Sequence, residues 1–253
     1  MSEVLFELSD HIAQITINRP DKGNALNTAV RNGLFEAFRR AHEDPECRVV
    51  ILTGTGERTF CAGADLLEMA QLGTSVPPKD YMPVLKRNVK LDKPVIAAVN
   101  GAAAAGGFLL AQMCDLVVAS RTATFAITEA RWGRGTPWAA SLTRLLPRRI
   151  VTELLVTGEP LPATRAYELG FVNAIVDPPA LIDHARRIAS TIANNAPLTV
   201  KASLRMLQFT DEMSVSAAES MADEIFKEVY LSHDAQEGPL AFRQKRAPVW
   251  KGR

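Results

Sequence analysis

Two short runs of small residues are the parts of this sequence best suited to chemistry. Cys61-Ala62-Gly63-Ala64-Asp65 and Asn100-Gly101-Ala102-Ala103-Ala104-Ala105-Gly106-Gly107 each follow an apolar stretch and precede a helix-like one, LLEMAQL and FLLAQM. Glycine and alanine let a ligand oxygen approach backbone N–H groups with no side chain intervening. A helix start beside each turn adds unpaired amides and a dipole that favours negative charge. Two such turns facing each other could hold an enolate oxygen, and losing one donor from such a pair typically costs ~3 kcal/mol of barrier. Small residues equally permit close strand–helix packing, and composition alone favours that plainer use. Glu129 begins a helical turn in the run AITEARWG. By position alone, an acid there serves the helix dipole as readily as it serves catalysis.

Other chemistries lack their residues. The sequence has no GxSxG elbow, no HExxH, no Walker loop and no GxGxxG after a strand. The histidines, His11, His42, His184 and His233, show no ligand spacing and read as surface residues, so no metal site is expected. Cys47, Cys61 and Cys114 are odd in number and form no CxxC pattern, which points to a reducing, cytoplasmic setting. Asp65, Glu68, Asp115 and Glu153 read as structural acids, Asp65 bonding local amides and Asp115 opening a strand.

The elements that must position these groups follow from periodicity. Val4–Leu8 and Ile12–Ile17 alternate as two strands around a turn at Ser9-Asp10. Arg19 to Gly23 is a loop punctuated by proline and glycine. Asn27 or Thr28 can cap a helix towards His42 with Val30, Leu34, Ala37, Phe38 and Ala41 on one face. Val49–Thr53 is wholly apolar, as in a sheet covered on both faces, and Val95–Val99 repeats it before the second small-residue turn. Strand–helix alternation continues through Asp115–Ala119, helices around Ser141–Leu155 and Ala163–Leu169, and a strand near Val172–Val176. Helices are then expected over Leu181–Asn194, Pro197–Phe209, Val215–Leu231 and Asp234–Arg246. The pattern is an α/β fold of short repeated units followed by a helical region.

Bulk properties narrow the partners. A net charge of +1 offers no large basic field for nucleic acid. The N-terminus carries acids where a leader would carry bases. Pro94 to Ser120 has no charge except Asp115, long enough to span a membrane, but its Asn100, Gln112 and glycines suit a buried strand–loop–helix–strand. Neither nucleic acid nor membrane is an expected partner.

The stretches NRPDKGNALN, FCAGADLLEM, KPVIAAVNGAAAAGGFLLAQMCDLVVAS, TFAITEARWG and EGPLAFRQKR, in that order over nearly the whole chain, resemble the enoyl-CoA hydratase/isomerase (crotonase) family. The tail EGPLAFRQKRAPVWKGR is especially similar to carnitinyl-CoA dehydratase-like members. The resemblance implies a crotonase-like spiral of ββα units over residues 1–195, holding the acyl-CoA site, and a C-terminal helical oligomerisation region over residues 196–253. It implies a homotrimer or homohexamer acting on an acyl-CoA, with coenzyme A as part of the substrate and no separate cofactor. Ala64 and Gly106 match the oxyanion-hole donors, and Ala62 and Leu66 match positions around the adenine and pantetheine. Lys22 and Ala25 lie in the loop that borders the nucleotide, where a lysine suits anionic phosphates. Phe242 and Lys245 match C-terminal residues that reach the CoA of a neighbouring subunit.

Family hydratases use two glutamates. Glu129 matches the second, whereas Leu109 stands where the first is expected. Syn hydration needs a water activated and a proton delivered, a division of labour for two carboxylates. Moving a double bond between β,γ and α,β positions needs only one. Glu129 with Leu109 therefore fits isomerisation better than standard hydration. Thioester hydrolysis, decarboxylation, carbon–carbon cleavage and acyl-CoA binding without turnover remain alternatives. The segment from Arg131 to Trp138 also departs from the family, being about two residues short there. Arg131, Trp132, Arg134 and Trp138 suit either an unusual acyl pocket or a subunit interface.

Overall fold

The computed structural model describes residues 2–73 and 76–253. Strands β1 (Val4–Ser9) and β2 (Ile12–Ile17) form an antiparallel hairpin that pairs Val4 with Ile17 and Ser9 with Ile12. Asp10 and His11 turn the hairpin at φ 51° and 64°. Helix α1 (Thr28–Glu43) is capped by Asn27, whose side chain accepts from the Val30 amide at 2.8 Å. Its buried face carries Val30, Leu34, Ala37, Phe38 and Ala41, as the 3.6-residue period requires, and adds Arg31.

Three copies of one unit follow. Strand β3 (Val49–Gly54) leads to a short strand β4 (Thr59–Cys61) and helix α2 (Leu66–Leu72). Strand β5 (Val95–Val99) leads to β6 (Ala102–Ala104) and α3 (Gly106–Gln112). Strand β7 (Leu116–Ser120) leads to β8 (Thr124–Ala126) and a 3-10 turn over Glu129–Trp132. A second 3-10 segment, Pro137–Arg144, precedes α4 (Arg148–Thr157), β9 (Leu161–Pro162), α5 (Ala163–Glu168) and β10 (Ala174–Val176). The single helix expected around Ser141–Leu155 is thus divided, because Pro147 cannot continue one. The chain ends in α6 (Leu181–Ala193), α7 (Pro197–Glu212), α8 (Val215–Tyr230) and α9 (His233–Gln244).

The strands form two sheets, β1-β2-β3-β5-β7-β10 and β4-β6-β8-β9. The second was not expected, since β4 and β6 lie in stretches read as turns and β8 and β9 in stretches given no regular structure. In the first sheet, β3 and β5 are buried along their full length. Val50 and Leu52 face the main core with Phe38, Phe60 and Phe108, whereas Val49 and Ile51 face α6 through Leu181, Ala185, Ala189 and Ala193. That two-sided cover explains their unbroken apolar sequence. The stretch from Pro94 to Ser120 is this buried core, and no helix among the described residues is long and apolar enough to cross a membrane.

Candidate active site

The three repeats deliver three groups to one place. Strands β4, β6 and β8 are parallel neighbours, and Ala64, Gly106 and Glu129 each lie just beyond the carboxyl end of one of them. Open α/β layers bind ligands at such strand ends. All three line a cleft of about 1070 Å³, together with Leu109.

Close backbone packing sets the first two. Gly63 takes φ +92°, and a Cβ placed on it would lie 2.7 Å from the Ala105 Cβ and 3.1 Å from the Gly106 amide nitrogen. The two small-residue turns therefore meet face to face, and only glycine fits at that junction. Gly107 is under the same constraint, because its Cβ would fall 2.0 Å from the Cys61 carbonyl oxygen. The close packing open to these residues is thus present, and the same contact brings the two turns together. Leu26 N–H donates to the Gly63 carbonyl at 2.8 Å and Asp65 N–H to the Leu26 carbonyl at 3.4 Å, a bridge that leaves the Ala64 N–H out of both bonds. Gly106 opens α3, where a helix N–H has no intrahelical acceptor.

The flanking acids are structural, as their positions suggested. Asp65 caps α2, accepting from the Leu67 and Glu68 amides at 3.1 and 3.2 Å, and pairs with Arg19 at 3.2 Å. Burial alone would raise its carboxyl, but these donors hold it below the usual range. Glu68 accepts from the Thr28 amide at 2.8 Å and from Arg31 at 3.0 Å. Asp115 precedes β7 and accepts from the Val95 amide at 2.9 Å and from Lys86 at 2.6 Å. No group of His, Cys, Asp and Glu among the described residues could hold a metal ion.

Glu129 differs from all of these. The residue is 8% exposed. Oε1 accepts from the Trp138 indole at 3.0 Å, and Oε2 is buried without a hydrogen-bond partner among the described residues. Burial raises its carboxyl above the ordinary glutamate range, against the lowering effect of its own backbone N–H and of the Trp138 donor. A carboxylate held this way is a stronger base than a solvated one.

The remaining sequence-derived positions divide. Lys22, Ala25, Ala62, Leu66 and Trp132 line the same cleft. Phe242, 87% exposed, and Lys245, in the left-handed region at φ 52°, do not line it. Tyr81, Met82 and Val84 also form its wall, from a segment whose sequence carries no helical or strand period. Trp138 lines the wall and also donates to Glu129, while Arg131 turns away to pair with Glu159 at 2.6 Å.

The profile of the enoyl-CoA hydratase/isomerase family matches residues 7–253. The chain belongs to the enoyl-CoA hydratase/isomerase family. This member is 42% identical to a carnitinyl-CoA dehydratase of Citrobacter koseri, over the full length of both chains. It is 40% identical to one of Proteus mirabilis, covering 96% of this chain and 95% of that one. Its structure is similar to that of an enoyl-CoA hydratase from Mycobacterium tuberculosis, with a TM-score of 0.92, 39% identity and full coverage of both chains. The expected crotonase-like α/β fold is therefore the one adopted, and the similarity to dehydratases extends well beyond the tail.

Proposed function

We propose that this family member isomerises enoyl-CoA thioesters, using Glu129 as its single acid/base and the Ala64 and Gly106 amides as an oxyanion hole. The observation that carries this reading is one cleft lined by two turns, one buried carboxylate with an oxygen unpartnered among the described residues, and Leu109 in place of a second acid. Glu129 Oε2 takes a proton from Cα of a 3-enoyl thioester. The C–H electron pair forms a double bond to the thioester carbon, and the carbonyl pair moves onto oxygen, where the two amides stabilise it. The enolate pair then re-forms the carbonyl, the double bond shifts to Cα=Cβ, and Oε2 returns the proton at Cγ. Coenzyme A enters as part of the substrate, with Ala62 and Leu66 beside its adenine and pantetheine and Lys22 and Ala25 along the nucleotide.

A second reading, hydration or dehydration at the same enolate, is favoured by the names of the relatives at about 40% identity. Incubating the protein with 3-enoyl-CoA and 2-enoyl-CoA separates the two. Turnover of the 3-enoyl substrate that falls by roughly 10²–10⁴-fold in Glu129→Gln supports isomerisation. Turnover of neither substrate, or a Gln variant as active as the parent, rejects both readings.

Residues 196–253 serve assembly in this proposal, as a homotrimer or homohexamer. The exposed Phe242 and Lys245 then complete the CoA site of a neighbouring copy rather than that of their own chain. Light scattering of the purified protein, with CoA affinity measured for Phe242→Ala, tests this.

A further inference from the structure

Among the described residues, the one side-chain hydrogen bond that Glu129 receives comes from a residue anchored at both its ring and its carbonyl. Trp138 packs edge-on against Phe108 at 6.0 Å between ring centroids. Phe108 in turn meets Phe125 and Phe171, each at 5.4 Å, in the centre of the main core. Gln112 donates to the Trp138 carbonyl at 3.3 Å and to Ser141 Oγ at 2.7 Å, which anchors the start of the 3-10 segment behind it. Phe108 and Gln112 both belong to α3, the helix that supplies the Gly106 amide and the Leu109 side chain. One helix thus holds an amide of the cleft and, through Phe108 and Trp138, a carboxylate that lines the same cleft.

A glutamate carboxylate otherwise turns freely, because its terminal torsion is broad. A donor on one oxygen fixes the plane of the group and so the direction of the other. With Oε1 accepting the indole N–H at 3.0 Å, an acquired proton has Oε2 as its place. Oε2 is buried, has no hydrogen-bond partner among the described residues and belongs to a residue that lines the cleft. An unpartnered buried oxygen costs free energy in the resting protein. A substrate that brings a proton to it relieves that cost.

Resting on Glu129 as the acid/base, we propose that Trp138 is a positioning residue: its indole N–H holds Oε1, so that Oε2 alone carries the substrate proton. The role goes beyond the acyl-pocket and interface uses that the sequence left open for this tryptophan. It also gives the Arg131–Trp138 segment a purpose, since that segment links the turn carrying the acid to the residue that supplies its donor.

Trp138→Phe keeps a ring against Phe108 and removes the donor. Its kcat on 3-enoyl-CoA is expected to fall about tenfold or more with KM little changed. The acid limb of its pH profile moves to higher pH, because the lost N–H favoured the charged carboxylate. A purely structural role would leave that limb in place. In the unsubstituted protein carrying 15N-tryptophan, one indole N–H signal should shift with pH and stop shifting in Glu129→Gln. This second measurement decides the matter even if Trp138→Phe does not fold. An unchanged kcat and acid limb in Trp138→Phe, or an indole signal indifferent to Glu129→Gln, overturns the proposal. An inactive Glu129→Gln beside an unaltered Trp138→Phe sinks the positioning role alone. A fully active Glu129→Gln sinks the acid/base reading beneath it.

Discussion

A Cβ placed on Gly63 would sit 2.7 Å from the Cβ of Ala105, so the two turns of the cleft touch at a point where one methyl group cannot fit. This contact ties backbone strain to function. Gly63→Ala adds both a clash and the strain of a left-handed φ of +92°, the latter roughly 1–3 kcal/mol. Turnover is expected to fall by ~10²-fold, the scale of a 1 Å misplacement of catalytic groups. Gly56→Ala is the control, since Gly56 has φ +87° with nothing within 4 Å of its added Cβ. Thermal melts and kcat/KM on both variants test this. If the two lose equal activity, contact between the turns does not hold the cleft.

Glu129 should also cost stability near neutral pH. Its folded-state carboxyl is raised by burial, so the folded protein binds this proton more tightly than the unfolded chain does. The contribution is fully favourable below the ordinary glutamate range and is lost as pH rises through the raised folded value. Glu129→Gln removes the buried charge and is expected to raise Tm at neutral pH but not at acid pH. Each kcal/mol relieved corresponds to about 2–4 °C in a domain of this size. Under the proposed function, activity moves oppositely, since abstraction needs the carboxylate. The acid limb of kcat/KM should lie above the ordinary glutamate range, and scans at two pH values with a pH–rate profile check both signs.

Much of this arrangement is written locally in the chain. The α1 face and its Asn27 cap follow from a 3.6-residue period and a short polar side chain, and Asp65 caps α2 for the same reason. Strands β3 and β5 announce themselves as unbroken apolar runs. The second sheet does not, because β4, β6 and β8 have three residues each and β6 is Ala-Ala-Ala, too short and uniform to show alternation. They are strands only because neighbours pair with them. The donor to Glu129 was equally hidden. Trp138 lies nine positions away, across a left-handed Gly133 and inside a second 3-10 segment, and no periodicity links the two.

Leu109 tests the division of labour between acids. It is 5% exposed and lines the cleft, so Leu109→Glu puts a second carboxylate into the cleft that Glu129 lines. Hydration of 2-enoyl-CoA is expected to gain about tenfold or more relative to isomerisation, because water can then be activated by one acid while the other moves the proton. The like charge should also raise the Glu129 carboxyl further, shifting the acid limb to higher pH. A variant that stays folded with its product ratio unchanged would show that a missing acid is not what limits hydration.

The tail gives a prediction independent of chemistry. Rather than extending freely, the basic C-terminus folds back over α9. Asp234 accepts from the Lys251 and Gly252 amides, each at 2.8 Å, and the Trp250 indole donates to the Asn194 carbonyl at 2.8 Å. Glu237 accepts from Arg246 at 2.9 Å and from the Val249 amide at 2.7 Å, and these donors, Arg246 foremost, bring its carboxyl down to about 2. A depressed carboxyl stabilises the folded state above the ordinary glutamate range and loses that effect as pH falls towards 2. Glu237→Gln should therefore release the tail at neutral pH while leaving the cleft intact. Limited proteolysis is expected to cut after Arg246 or Lys251 faster in the variant than in the parent, and the difference should shrink on acidification. Equal cleavage rates at neutral pH would mean that Asp234 and Trp250 hold the tail without Glu237.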